Sequence, residues 1–201
     1  MSKKKNAAED FPICSFNKDK IAENITANEE YVQNKYLDEV FIDSTEQLQT
    51  MNEYTRGLVL PVNCRVAESR ASIINSRQRD VLQKELRQAG ILSRMGDSVF
   101  LIPERSVNDN EVILDAIVNG ELYEFRNVTG TVRQIEERFS EAKKRKGDDI
   151  NVFVHIDTNA SMHEAWRRIE QEIRRRPNYT GNIILSIRGG NPIHRDSSSF
   201  R

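Results

Sequence analysis

The spacing of apolar residues along this chain switches between the helical period and the strand period, and each switch marks an element. Leu82, Leu86 and Ala89 recur at helical spacing in a stretch that runs from Ala67 to Ala89, with Gly90 as its stop. Ser98 to Ile102 reads as a short strand closed by Pro103. Val112 to Arg126, VILDAIVNGELYEFR, is two alternating runs joined by Asn119-Gly120. That pair suits a two-residue type I′ turn, because both central positions need positive φ. Thr131-Val-Arg-Gln134 has the form of a capping box and opens a helix with Val132, Ile135, Phe139 and Ala142 on one face and Gly147 at its end. Asn151 to Ile156 alternates as a strand. Ser161 then caps a helix striped by Met162, Trp166, Ile169 and Ile173. Ile183 to Ile187 is apolar nearly throughout, as in a strand buried on both faces. The order α-β-β-β-α-β-α-β implies an α/β fold, a mixed sheet flanked by helices.

Before Ala67 the pattern is weaker. Residues 1 to about 20 are polar and lysine-rich, the composition of a poorly ordered terminus. Ile25 to Val40 reads as a helix capped by Asn24 or Thr26, and Ser44-Thr-Glu-Gln47 opens a short helix through Tyr54. Gly57 to Pro61 is extended. The expected organisation is a partly helical accessory segment over 1–66, an α/β domain over 67–190 and a flexible tail over 191–201.

The hairpin also carries charge. Its register sets Asp115 opposite Glu124, where like charges oppose pairing, and places Arg126 on the face of Glu124. Two converging carboxylates suit a hard divalent cation such as Mg²⁺ or Mn²⁺, which would polarise a phosphoryl oxygen and activate water. The same three residues also read as a solvated face in which Arg126 neutralises the pair. Basic clusters stand at Lys143-Lys144-Arg145-Lys146, Arg167-Arg168 and Arg174-Arg175-Arg176. The first and last end helices, where cations complement the helix dipole, and the first, through Lys143, Lys144 and Arg145, is the candidate nucleic-acid contact. His155 and Asp157 share a strand face without a third partner.

Composition narrows the classes. Across 201 residues the 30 Lys and Arg nearly balance the 31 Asp and Glu, so any nucleic-acid surface is local. The two cysteines have no metal spacing, and neither an HExxH nor a Gly-rich nucleotide loop occurs. With no apolar run near the length of a membrane span and no signal peptide, the expectation is a soluble, cytoplasmic protein with no membrane partner.

A resemblance rests on the run from Asp80 to Arg126: a helix with an acidic residue (DVLQKELRQAG), a strand ending in Pro-Glu (FLIPE), then LDAIVNGELYEFR, with aspartate, Asn-Gly and an E-x-K-like strand. A Lys/Arg-rich helix and an apolar strand follow. This resembles the C-terminal tRNA-nuclease toxin domain of contact-dependent growth-inhibition proteins, over roughly residues 68–190. The resemblance implies the restriction-endonuclease-like core of the PD-(D/E)xK nucleases and a metal-dependent nuclease acting on RNA, tRNA first and DNA second. It implies Asp115 and Glu124 as metal ligands, Arg126 in the place of the family lysine, Asp80 as the acidic residue of the first helix, and Arg145 at a polar or basic position. Arginine for lysine removes a group able to exchange a proton near neutral pH, and aspartate for glutamate shortens the reach by one methylene. Because the chain starts with its own methionine, the expectation is a free-standing, toxin-like relative associated with a mobile element. The alternative is a catalytically degenerate protein of the same fold that binds nucleic acid, or a protein partner through its N-terminal segment.

Overall fold

The computed structural model describes residues 18–104, 113–175 and 177–200, so the disorder expected near the N-terminus falls almost wholly outside the described residues. Helix α1 (Lys18–Lys35) leads into strand β1 (Phe41–Ile42), helix α2 (Thr45–Thr50) and a 3₁₀ turn at Glu53–Thr55. Strand β2 (Cys64–Ala67) is followed by helices α3 (Glu68–Ser72) and α4 (Ser76–Ser93). Then come β3 (Val99–Leu101), β4 (Ala116–Val118), β5 (Glu121–Val128), α5 (Arg133–Lys146), β6 (Asn151–Ile156), α6 (Met162–Arg175), β7 (Asn182–Ile187) and β8 (Ile193–Asp196). From α4 to β7 the order is α-β-β-β-α-β-α-β, as the periodicity implies.

The eight strands of the described residues form one sheet in sequence order. The pairs β2–β3, β5–β6 and β6–β7 are parallel; β1–β2, β3–β4, β4–β5 and β7–β8 are antiparallel. The protein is therefore a mixed α/β fold. One face carries α4 and the segment around α2, packing Leu48, Leu58, Leu82, Leu86, Phe125 and Phe153 into a core. The other carries α5 and α6, whose Phe139, Trp166 and Ile169 cover Val152, Val154 and Leu185. Burying a side chain of this size stabilises by about 1.5–3 kcal/mol, and the covering of both faces explains why β6 and β7 are apolar nearly throughout.

The segment expected to be accessory contributes two strands to this sheet and Ile42, Leu48, Leu58 and Leu60 to the same core as α4. β2 went unread because four residues, Cys64 to Ala67, are too few to show a period. The helix expected over 67–89 is broken at Ile73–Asn75. Asn75 caps α4, accepting from the backbone of Arg77 and Gln78, while Gln78 returns a contact to the Asn75 amide. At its far end α4 runs through Gly90 to Ser93. The capping box expected at Thr131 does not form: α5 starts beyond Val132, and the Gln134 side chain instead accepts from Gly130 N. The expected flexible tail forms edge strand β8 and a final 3₁₀ turn, with Arg195 stacked 4.5 Å from the Trp166 ring. Among the described residues no helix is long and apolar enough to cross a membrane.

Candidate functional site

The hairpin forms in the expected register, with Val118 opposite Glu121, Ile117 opposite Leu122 and Ala116 opposite Tyr123. Asn119 and Gly120 have φ of 51° and 87°, the positive pair that a type I′ turn needs. Helix α1 clamps the turn: Asn28 accepts from Gly120 N at 2.7 Å and donates to the Ser98 hydroxyl at 3.0 Å. One residue before β4, Asp115 receives the Phe125 amide on Oδ2 at 2.7 Å while its own amide donates to Tyr123 O at 3.0 Å. The aspartate is thus fixed to the β5 backbone at both its main chain and its side chain.

Glu124, in the middle of β5, is 3 % exposed. Its Oε1 pairs with Arg126, two residues on and on the same face. Its Oε2 is buried with no hydrogen-bond partner, and Lys146 Nζ stands 3.9 Å away. Burial, reinforced by the Asp115 charge, pushes the Glu124 carboxyl up to about 7, against the pull of Arg126, Lys146 and Arg145. An acid in this setting changes charge near neutral pH, and it gains most from any further cation.

A second acidic group meets Asp115 from α3 and α4. Arg70 of α3 is 2 % exposed and donates from Nη1 to Ile102 O and Asp115 O, both at 2.9 Å. Its Nη2 donates to Glu85 at 2.6 Å and lies 3.5 Å from Glu104. Burial raises the Glu85 carboxyl; Arg70 opposes this, and Asp115 and Glu104 add to it. The Asp115 charge therefore acts on both Glu85 and Glu124.

Asp80 does not join this group. It is exposed on α4, because five residues turn a helix by about 140° relative to Glu85. The acid that α4 turns toward Asp115 is Glu85, and its sequence signal was a charge set in the stripe of Leu82, Leu86 and Ala89. Helical rotation also divides the basic cluster. Lys143, one turn beyond Phe139, is 2 % exposed with its ammonium 5.3 and 5.2 Å from the Phe139 and Tyr179 rings, so it does not reach an external ligand. Lys144 and Arg145 are exposed. Lys146, two turns from Phe139, falls back on the inner side, donating to Ile113 O beside Glu124. Arg70, Glu85, Glu104 and Lys146 are the members that sequence reasoning missed.

Two acids from facing strands, each already holding one protein donor, leave little room for a metal built from protein ligands alone. Among the described residues no group of three or more His, Cys, Asp or Glu stands close enough to hold one. Mg²⁺, however, uses one or two carboxylates and keeps waters or phosphate oxygens for the rest. The unpartnered Glu124 Oε2 and the oxygen-only donor set fit that chemistry.

Compared with known proteins, the chain matches no family model and no curated protein. Among solved structures it is similar to a chain of the "CdiA-CT/CdiI toxin and immunity complex from Burkholderia pseudomallei". The identity is 24%, the TM-score 0.45, and the match covers 62% of this chain and 90% of that one. A likeness of this size bears on neither substrate nor site residues.

Proposed function

We propose that the protein is a metal-dependent nuclease with a restriction-endonuclease-like core, hydrolysing phosphodiester bonds at the base of the β4–β5 hairpin. The observation that carries this reading is Glu124: a buried carboxylate with one orphaned oxygen, its pKa pushed up beside Asp115, ringed by Arg126, Lys146 and Arg145. Asp115 and Glu124 are the residues that would hold Mg²⁺ or Mn²⁺, which when bound supplies charge stabilisation at a phosphoryl oxygen and a more acidic water. Arg126 and the Asp115–Phe125 N contact hold the two carboxylates in place. Lys146, its ammonium 3.9 Å from Glu124 Oε2, supplies positive charge on the open side of that carboxylate. Lys144 and Arg145 carry exposed positive charge on the same helix end, toward a polyanion. The resemblance of Asp80 to Arg126 to toxin nuclease domains makes tRNA the first substrate to try and DNA the second, in a toxin-like, mobile-element setting.

Purified protein incubated with Mg²⁺ or Mn²⁺ and labelled tRNA or plasmid tests the reading. Cleavage is expected, lost by about 10²-fold or more in Asp115→Asn and Glu124→Gln. Cleavage unchanged in both variants would remove the site assignment.

A second reading is favoured by the closure of Arg126 on a nearly inaccessible Glu124. On it the site is a retained salt bridge, and the protein binds nucleic acid without cutting, or holds a protein partner through its N-terminal segment. Salt-dependent RNA binding with no cleavage under any divalent metal selects this alternative.

A further inference from the structure

Three polar side chains stand in register on adjacent strands, at the end of β5 away from the Asn119-Gly120 turn. Asn127 of β5 pairs with His155 of β6, and His155 with Ser186 of β7. By alternation all three project from the face of Phe125, Phe153 and Ile184, the face that α4 covers. His155 is 1 % exposed, Ser186 is fully buried, and His155 Nδ1 lies 2.8 Å from the Ser186 hydroxyl. The other ring nitrogen, Nε2, is buried with no hydrogen-bond partner, and so is Asn127 Oδ1. Each such orphan opposes folding, and a ligand offering the missing contact recovers that cost.

Positive charge gathers over the same corner. Arg87 on α4 and Arg94, which caps its C-terminus, are two turns apart on one side of the helix, and both are exposed. Arg87 Nη1 is 3.2 Å from Asp157 Oδ2, and Arg94 Nη2 donates to Gly189 O at 2.9 Å. Arg188, held at φ 50° just beyond β7, donates through Nε to Thr158 O at 2.9 Å. A guanidinium has five donors, so these contacts leave each arginine with donors to spare. Burial and the charges of Arg87 and Arg94 hold His155 below its usual pKa, with Asp157 opposing. A neutral imidazole whose Nδ1 accepts from Ser186 carries its proton on Nε2, making that atom a donor. The corner also sits at the carboxyl ends of the parallel strands β5, β6 and β7, where open α/β sheets take ligands.

We propose that this corner is a phosphate subsite, in which His155 Nε2–H donates to a phosphate oxygen flanked by Arg87 and Arg94. It rests on the nucleic-acid reading above and assigns the subsite to a phosphate of the bound strand other than the one at Asp115 and Glu124. α4 links the two places: Glu85 faces Asp115, Gln88 donates to Arg126 O at 3.1 Å, and Arg87 and Arg94 lie over His155's end of the sheet. Because Nε2 is closed to solvent, phosphate reaches it only with a local rearrangement.

The test uses the full chain with isotope-labelled histidine, in EDTA so that no strand is cut, titrated with inorganic phosphate and then with a single-stranded RNA oligonucleotide. The His155 ring resonances are expected to move saturably with phosphate and with RNA, but not with chloride at equal ionic strength. Arg87→Gln and Arg94→Gln, both at exposed positions, are expected to weaken RNA binding by about 3–10-fold each and to lower the salt slope by about one. No response of His155 to either probe overturns the proposal, and so does an equal response in the arginine variants. A response to phosphate but not to RNA overturns the assignment to a bound strand. The nuclease reading fails separately: absent cleavage with His155 still responding sinks that reading alone, and intact cleavage with a silent His155 sinks this one alone.

Discussion

Glu85 and Glu124 are both buried acids with an arginine against them, yet their surroundings differ in kind. Arg70 answers Glu85 with a 2.6 Å contact from Nη2 and spends Nη1 on two backbone carbonyls, Ile102 O and Asp115 O. That guanidinium knits α3, β3 and the start of β4 together, and its partner is architecture. Arg126 answers only one oxygen of Glu124; the other is left buried without a hydrogen bond, 3.9 Å from Lys146. A buried acid with no orphaned oxygen reports on stability, whereas one with an oxygen left over leaves a place for chemistry.

The largest effect that would break this comparison is at Arg70. Arg70→Met strands Glu85 in the core and is expected to cost about 3–5 kcal/mol in urea unfolding, with Arg70→Met/Glu85→Leu regaining part of it. Wild-type stability in the single variant would show that Arg70 is not structural.

Next comes the pH dependence of Glu124. Its folded pKa of about 7 lies above the usual carboxylate value, so its contribution to stability is full at low pH and fades as pH rises toward 7 and beyond. Without divalent metal, the wild type should therefore melt at a higher temperature near pH 5 than near pH 8. The part due to Glu124 is about 3 kcal/mol at most and should vanish in Glu124→Gln. Mg²⁺ at pH 8 should raise the wild-type melting temperature and leave that of Glu124→Gln unmoved; identical curves for the two proteins would contradict the unsatisfied carboxylate.

Lys146 sharpens the contrast from the cationic side. Lys146→Gln, which removes the charge 3.9 Å from Glu124 Oε2, is expected to lower cleavage by about 10-fold, with Lys146→Arg restoring part of it. No rescue by arginine would mean that more than charge matters there.

Smaller effects should separate the basic helix end. Lys144→Gln and Arg145→Gln should weaken RNA binding a few-fold and lower its salt slope by about one each, whereas Lys143→Met should change melting rather than binding. Smallest of all, Asp80→Asn should leave stability within about 0.5 kcal/mol and cleavage unaltered. A large loss of activity there would restore Asp80 to the site.

Local pattern carried a good deal of this. The Asn119-Gly120 turn, the register that sets Asp115 near Glu124, and the order of elements from α4 to β7 all follow from rules acting within a few residues: turn geometry, alternation and helical spacing. What those rules cannot see is distance between remote segments. The placing of β1 and β2 in the sheet, the 2.6 Å meeting of Arg70 with Glu85, and the entry of Lys146 beside Glu124 each join residues that are neighbours only after the sheet has closed. Even the choice between Asp80 and Glu85 needed the core, because a helix assigns an inward side only when something packs against it. The chain by itself determined which side chains share a strand face or a helix face; tertiary packing decided which charges were stripped of water, and therefore which of them are left with something to bind.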